Sequence, residues 1–144
     1  MKYLFLFIML LLIFIACEAP KQSPLDTVKA NYMAMQNEDI EAYLKTVSGP
    51  RAYVAGTLLV KFFEDYNVDY NIDTIELLGE ISDVAQVRTV VTATDRKGAN
   101  EFHDNRMVAI HKLKFDAEGW RINLSEVEKP VFLDKTPVVA DSVR

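Results

Sequence analysis

Met107-Val108-Ala109-Ile110-His111-Lys112-Leu113-Lys114-Phe115, then Asp116-Ala117-Glu118-Gly119, then Trp120 to Val127, is the stretch that decides the fold. Apolar and polar residues alternate on both sides of a short turn that ends on glycine, the pattern of two half-buried antiparallel strands. If Leu113 and Phe115 face a core, the same alternation puts His111, Ala109 and Met107 on that face.

Working upstream, Val84 to Thr94 is rich in Val and Thr and reads as a long strand, followed by a turn at Asp95-Arg96-Lys97-Gly98. Counting by twos gives Ala85, Val87, Thr89, Val91 and Ala93 one packed face. Val84, Gln86, Arg88, Val90, Thr92 and Thr94 take the other, so Arg88 is placed outside, where its charge need not be desolvated. Tyr70 and Ile72 open an earlier strand that runs toward Leu78 with a bulge near Asp73 and Thr74.

Before Asn67 the period is helical. Leu25, Val28, Tyr32 and Met35 recur at steps of three and four up to Gln36, with Ser23 or Asp26 as the cap. Asn37 is placed to cap a second helix, Asp39 to Val47, whose Ile40, Tyr43, Leu44 and Val47 share a face. Ser48-Gly49-Pro50 breaks the chain, and a third helix runs from Pro50 to Asp65 with Tyr53, Leu58, Leu59, Phe62 and Phe63 as its bulky apolar side. Helices first and an antiparallel meander after them predict an α+β domain, three N-terminal helices packed on a curved antiparallel sheet, over residues 25–128. Residues 129–144, with Pro130 and Pro137, read as an extended tail on the surface with a disordered end; an edge strand at Val131 to Leu133 is the alternative.

The front of the chain is of another kind. Lys2 is followed by an unbroken apolar run from Leu4 to Ala16 and then by the chain's single cysteine, Cys17. As a helix that run spans roughly 20 Å, short of a ~30 Å hydrocarbon core, which suits an export signal better than a permanent span. Phe14-Ile15-Ala16-Cys17 resembles the cleavage box of a bacterial lipoprotein, with Phe14 where that pattern usually has Leu. Residues 1–16 are then a signal peptide, Cys17 the lipidated residue, and 17–24 a tether. Cleavage after Ala19, or retention of the segment as a short anchor, are the alternatives. The expected location is the bacterial envelope, facing the periplasm or the cell surface. Glu18, rather than an aspartate, after the cysteine leans toward the outer membrane.

The full chain carries 16 Lys and Arg against 21 Asp and Glu, a formal −5, and loss of Lys2 with the signal makes it more negative. That balance argues against nucleic acid and against adhesion to anionic headgroups by charge. One cysteine allows neither a disulfide within the domain nor a cysteine-based metal site.

The helices Val28-Lys29-Ala30-Asn31-Tyr32 through Asn37-Glu38-Asp39-Ile40-Glu41-Ala42-Tyr43-Leu44, with the closing Leu113-Lys114-Phe115-Asp116-Ala117-Glu118-Gly119-Trp120-Arg121-Ile122, resemble the nuclear transport factor 2-like superfamily, the cystatin-like cone of three helices and a bent sheet. The resemblance implies a conical cavity between helices and sheet, and dimerisation through the sheet's outer face. It does not choose a function, because the superfamily includes isomerases, dehydratases, SnoaL-type cyclases and envelope lipoproteins.

Proton-transfer chemistry in such a cone needs a cavity acid or histidine and a facing donor. His111 is the weak catalytic candidate, with a hydrogen-bonded structural histidine as the plainer reading. Tyr32, Tyr43, Tyr53 and His111 are the candidate ligand-binding residues, the tyrosines offering an apolar ring and a hydroxyl tip or else serving as core-edge residues. Glu38 and Asp39 suit the first turn of a helix better than a cavity. His103 beside Asp104 has no second ligand pair, so no metal is expected, and no nucleotide or phosphate fingerprint calls for a cofactor. The expectation is an envelope lipoprotein, non-enzymatic, that binds a small apolar ligand or a protein partner. The alternatives are an isomerase or cyclase using His111 with a tyrosine, and a structural homodimerisation module.

Overall fold

The computed structural model describes residues 22–96 and 102–133. The apolar leader, Cys17 and the chain past Leu133 lie outside the described residues, as do Lys97 and Gly98 of the expected turn. Among the described residues the order is α1 (Pro24–Gln36), α2 (Ile40–Thr46), α3 (Pro50–Asp65), β1 (Val68–Ile81), β2 (Val84–Asp95), β3 (Asn105–Asp116), β4 (Gly119–Val127) and β5 (Val131–Phe132). This is the expected α+β order of three helices and a curved antiparallel sheet. No described helix is long and apolar enough to cross a membrane.

Helix α1 starts on a reciprocal cap: the Asp26 backbone N–H donates to Ser23 Oγ at 3.1 Å while the Ser23 N–H reaches back to Asp26 Oδ2 at 3.3 Å. The start of α2 departs from expectation. Asn37 closes α1, its N–H bonded to the Met33 carbonyl, and Glu38 then takes a left-handed conformation (φ 56°) that turns the chain. Asp39 is therefore the residue that caps α2, accepting from the Ala42 N–H at 2.9 Å.

The strands pair antiparallel in the order β1-β2-β3-β4, with register shifts at Ile72/Thr74, as expected, at Leu77/Gly79 and at Lys112/Leu113. Ala85, Val87, Thr89, Val91 and Ala93 form the buried face of β2, and Arg88 lies on the opposite one, beside Glu76 and Ile110 in register. Helix α1 lays Val28 and Tyr32 onto that face, where Val87, Val91, Leu113, Trp120 and Ile122 complete the core. Phe115 and Trp120 meet edge to face at 5.3 Å between ring centres. Gln36 ties α1 to β1, donating to Asp69 at 2.8 Å and accepting from the Tyr70 N–H at 2.7 Å.

Two expectations are corrected. The segment after Val127 does not merely lie on the surface: Val131 and Phe132 pair with Arg106 and Asn105 of β3, continuing the line of β4 past Pro130. A strand forms because β3 is longer than β4 and would otherwise leave its first backbone groups unpaired. The bulky side of α3 is also not a buried side. Tyr53 is 79% and Leu58 67% exposed, while Leu59, Phe62 and Phe63 are half-buried. Helix α3 rests on α2, where Gly56 admits the Leu44 side chain, and at its far end on a cluster of Phe62, Tyr66 and Phe102 with ring centres 5.1–6.1 Å apart. The outward turns of α3 face no other described element.

Burial separates two substitutions of similar chemistry. Leu113→Ala should destabilise the domain by about 2–5 kcal/mol, and Leu58→Ser by no more than about 0.5 kcal/mol, in urea unfolding followed by circular dichroism.

Candidate functional site

A cleft of about 210 Å³ opens where α2 and α3 meet β4. Its existence follows from the way α3 is hung. The α2–α3 connection docks on β4, with Val47 bridging Ile122 and the Ser48 N–H bonded to the Ile122 carbonyl at 2.9 Å. Gly49 then turns with φ 85°, a conformation that favours glycine, and a Cβ there would press on the Asn123 amide at 2.9 Å. Helix α3 leaves this point along the sheet, packing onto the core at Ala52 near its start, and the gap beyond that contact is the cleft.

Val47, Ile122 and Leu124 supply apolar wall from the docked strand segments, while Ala52 and Ala55 supply it from α3. Tyr43 enters from α2, and burial alone raises its phenol above the usual tyrosine value. The polar atoms come from Ser48, Asn123 and Ser125. Ser125, itself exposed to solvent, is the contact that joins the cleft to the core: its Oγ lies 2.8 Å from His111 Nδ1.

Behind Ser125 is a buried polar chain. His111 is 4% exposed, and its Nε2 lies 3.1 Å from Thr89 Oγ1 and 3.3 Å from the Tyr32 hydroxyl, which are themselves 3.1 Å apart. The Tyr32 and His111 rings also meet edge to face at 5.8 Å. Both imidazole nitrogens are thus engaged by hydroxyls that can donate or accept, so the neutral ring is satisfied in either tautomer. Burial pushes its pKa down to about 4, and burial raises the Tyr32 phenol, opposed by its bond to Thr89. A base that weak is poorly matched to proton abstraction at neutral pH. The arrangement can orient a hydroxyl or carbonyl group at Ser125, on the solvent-exposed edge of an apolar cleft.

The four expected ligand-binding residues are therefore dispersed. Tyr43 lines the cleft, His111 stands behind Ser125, Tyr32 lies beneath both, and Tyr53 points away on the outward side of α3. Tyr32 also borders a shallow depression between α1 and β1, with Gln36 and Tyr70, whose phenol burial and the neighbouring Tyr32 push up to about 12. Sequence reading missed Ser125 and Asn123. Counting by twos from Trp120 and Ile122 continues to Leu124, but the register shift at Lys112/Leu113 inserts Asn123 and brings Ser125 opposite His111. Thr89 carried a signal, a lone hydroxyl at the centre of a packed face. Among the described residues no group of three His, Cys, Asp or Glu gathers as a metal site.

The model of one family, described as the anti-sigma-I factor RsgI9, C-terminal domain, matches residues 26–133, most of the chain. The chain belongs to that family. Its fold is the nuclear transport factor 2-like, cystatin-like one. A putative dehydratase of the NTF2-like family from Streptomyces avermitilis superposes with a TM-score of 0.60 at 12% identity, over 70% of this chain and 88% of that one. A cystatin-like protein of unknown function from Nostoc punctiforme gives 0.59 at 13%, over 79% and 91%. Bd1075 of Bdellovibrio bacteriovorus gives 0.59 at 16%, over 69% of this chain, which spans only 37% of the length of that protein. At these identities the likeness is one of fold. No curated protein matches the chain.

The buried imidazole has a measurable signature. His111 binds a proton in the unfolded chain below about 6.5 but in the folded one only near 4, so the unfolded state holds more protons between those values. The His111 contribution should be constant from neutral pH upward, and stability should fall as pH drops from about 6.5 to about 4, by on the order of 3 kcal/mol. Urea midpoints measured across that range for the protein and for His111→Gln should show the slope in the first and a much flatter line in the second.

Proposed function

We propose that this chain is a membrane-anchored envelope domain that binds a small, mainly apolar ligand in the cleft between α2, α3 and β4. The observation that carries the reading is the lining: apolar walls from Val47, Ala52, Ala55, Ile122 and Leu124, with Ser125 held by His111 as one oriented polar contact. At about 210 Å³ the cleft is below the ~300–1,000 Å³ usual for drug-sized ligands, so the ligand is of the size of a single ring or a short alkyl chain. A half-buried Tyr43 at the wall suits a flat or aromatic group.

Anchoring is the second part of the reading. It rests on the apolar run Leu4 to Ala16 ahead of Cys17 and on the short polar stretch that separates them from α1. The neutral, fully hydrogen-bonded His111 favours binding over turnover by an isomerase-type route. The family match favours one refinement: the namesake of the family is an anti-sigma-I factor, so the domain would serve a regulatory protein in which occupancy of the cleft is the signal.

The test uses p-cresol, a single ring with one hydroxyl, titrated into the isotopically labelled protein. Amide shifts should concentrate at Tyr43, Asn123 and Ser125. Ala55→Phe, which fills the cleft from α3, should abolish them while leaving the fold's spectrum intact, and Tyr53→Ala should leave them unchanged. Shifts that ignore Ala55→Phe, or none at millimolar p-cresol, would remove the cleft as a binding site.

A further inference from the structure

The free end of the β1–β2 hairpin is an apolar surface with no described helix over it. From Glu76 onward every residue of β1 is exposed, on both sides of the strand, so the hairpin overhangs the helical layer. What it exposes is not the polar alternation that a solvated edge strand would carry. Ile81 is 81%, Val84 47% and Leu78 46% exposed, and they border a hollow on the outer sheet face at Gly79, where a Cβ would meet nothing within 4 Å. Leu77, opposite Val87, adds an apolar group on the inner face.

The position of this end relative to the start of the domain says what covers it. Gln22 shares a depression with the β3–β4 turn, Phe115 to Gly119, and Thr27 Oγ1 donates to the Trp120 carbonyl, so α1 begins at that turn. The Phe115 N–H in turn donates to the Asp83 carbonyl at 2.8 Å, which places the β1–β2 turn at the same end of the sheet. From Gln22 back to Cys17 the chain is five residues, at most about 18 Å when fully extended. A domain tied that closely to a bilayer must turn this end toward it.

We infer that the outer face of the β1–β2 hairpin end, Leu78, Ile81 and Val84, rests in the lipid interface of the membrane that anchors the chain. The inference depends on the anchored reading given above, whether the anchor is lipid on Cys17 or the apolar segment itself. Apolar area drives the contact, because the charges on the same face, Glu76, Asp83 and Glu126 against Arg88, Lys112 and Lys114, balance. Zwitterionic headgroups should accept it as well as anionic ones.

The full chain, purified from bacterial membranes and reconstituted in phosphatidylcholine vesicles, tests this with a polarity-sensitive thiol dye at Ile81→Cys or, separately, at Tyr53→Cys. A lipidated Cys17 has no free thiol to compete, and the chain without an added cysteine, treated with the same dye, measures the labelling of an unlipidated one. The expected result is a blue-shifted Ile81 dye, quenched several-fold by brominated lipid and little changed when phosphatidylglycerol is added, with a water-like Tyr53 dye. Vesicles that carry the chain with a water-like Ile81 dye would overturn the docking and leave the anchor standing. A blue shift insensitive to brominated lipid but growing with protein density would assign the surface to a second copy instead. A chain that does not float with vesicles would overturn the anchored reading, and the docking with it.

Discussion

Thr89 puts a hydroxyl at the centre of the packed face of β2, out of reach of the solvent, and the site is arranged around that constraint. A buried hydroxyl without a partner costs on the order of 1–3 kcal/mol. Its partners come from two other elements, Tyr32 on α1 and His111 on β3, and His111 passes the chain of bonds on to Ser125 at β4. One polar group thereby fixes the rotation of α1 on the sheet and the orientation of the imidazole, and joins the deepest part of the core to the wall of the cleft. An apolar replacement of His111 would remove three of these four contacts at once and leave Tyr32 and Thr89 only each other, which couples the set in energetic terms.

Helix α3 is governed by the opposite condition. It is attached at its start through Gly49, in its middle where Gly56 meets Leu44, and at its far end through the Phe62–Tyr66–Phe102 cluster, and its outward side touches little. Local opening has the least to break where apolar contacts are few, so α3 is the element whose displacement would widen the cleft at lowest cost. The rigid wall, β4 with Ser125, and the movable wall, α3 with Ala52 and Ala55, therefore differ in what they contribute to recognition: orientation from the first, accommodation of size from the second.

Much of this architecture was readable from periodicity. The bounds of α3 followed from Pro50 and the change of texture after Asn67, and the inward face of β2 from strict alternation, because both signals are local. The errors lie where a local signal meets a tertiary fact. Asn37 and Asp39 are equally good caps in composition, and only the left-handed Glu38 between them decides which one begins α2. The apolar side of α3 is plain in sequence, but whether anything packs on it is not. Ser125 was hidden by one inserted residue, since a register shift reverses every later side chain. The strand at Val131 depends on β3 being longer than β4, which no short window contains.

That terminal strand has a mechanical consequence. Leu133 donates its N–H to the Asp104 carbonyl at the start of β3, while Gln22 lies against the turn at the end of β3. The described chain thus enters at one pole of the sheet and leaves at the other, separated by the length of a twelve-residue strand, roughly 40 Å. Tension applied between an attachment ahead of residue 22 and anything joined after residue 133 would run parallel to the strands. Hydrogen bonds loaded in that direction share the strain and fail together, so the domain would resist pulling as a spacer does, holding whatever follows it at a set height.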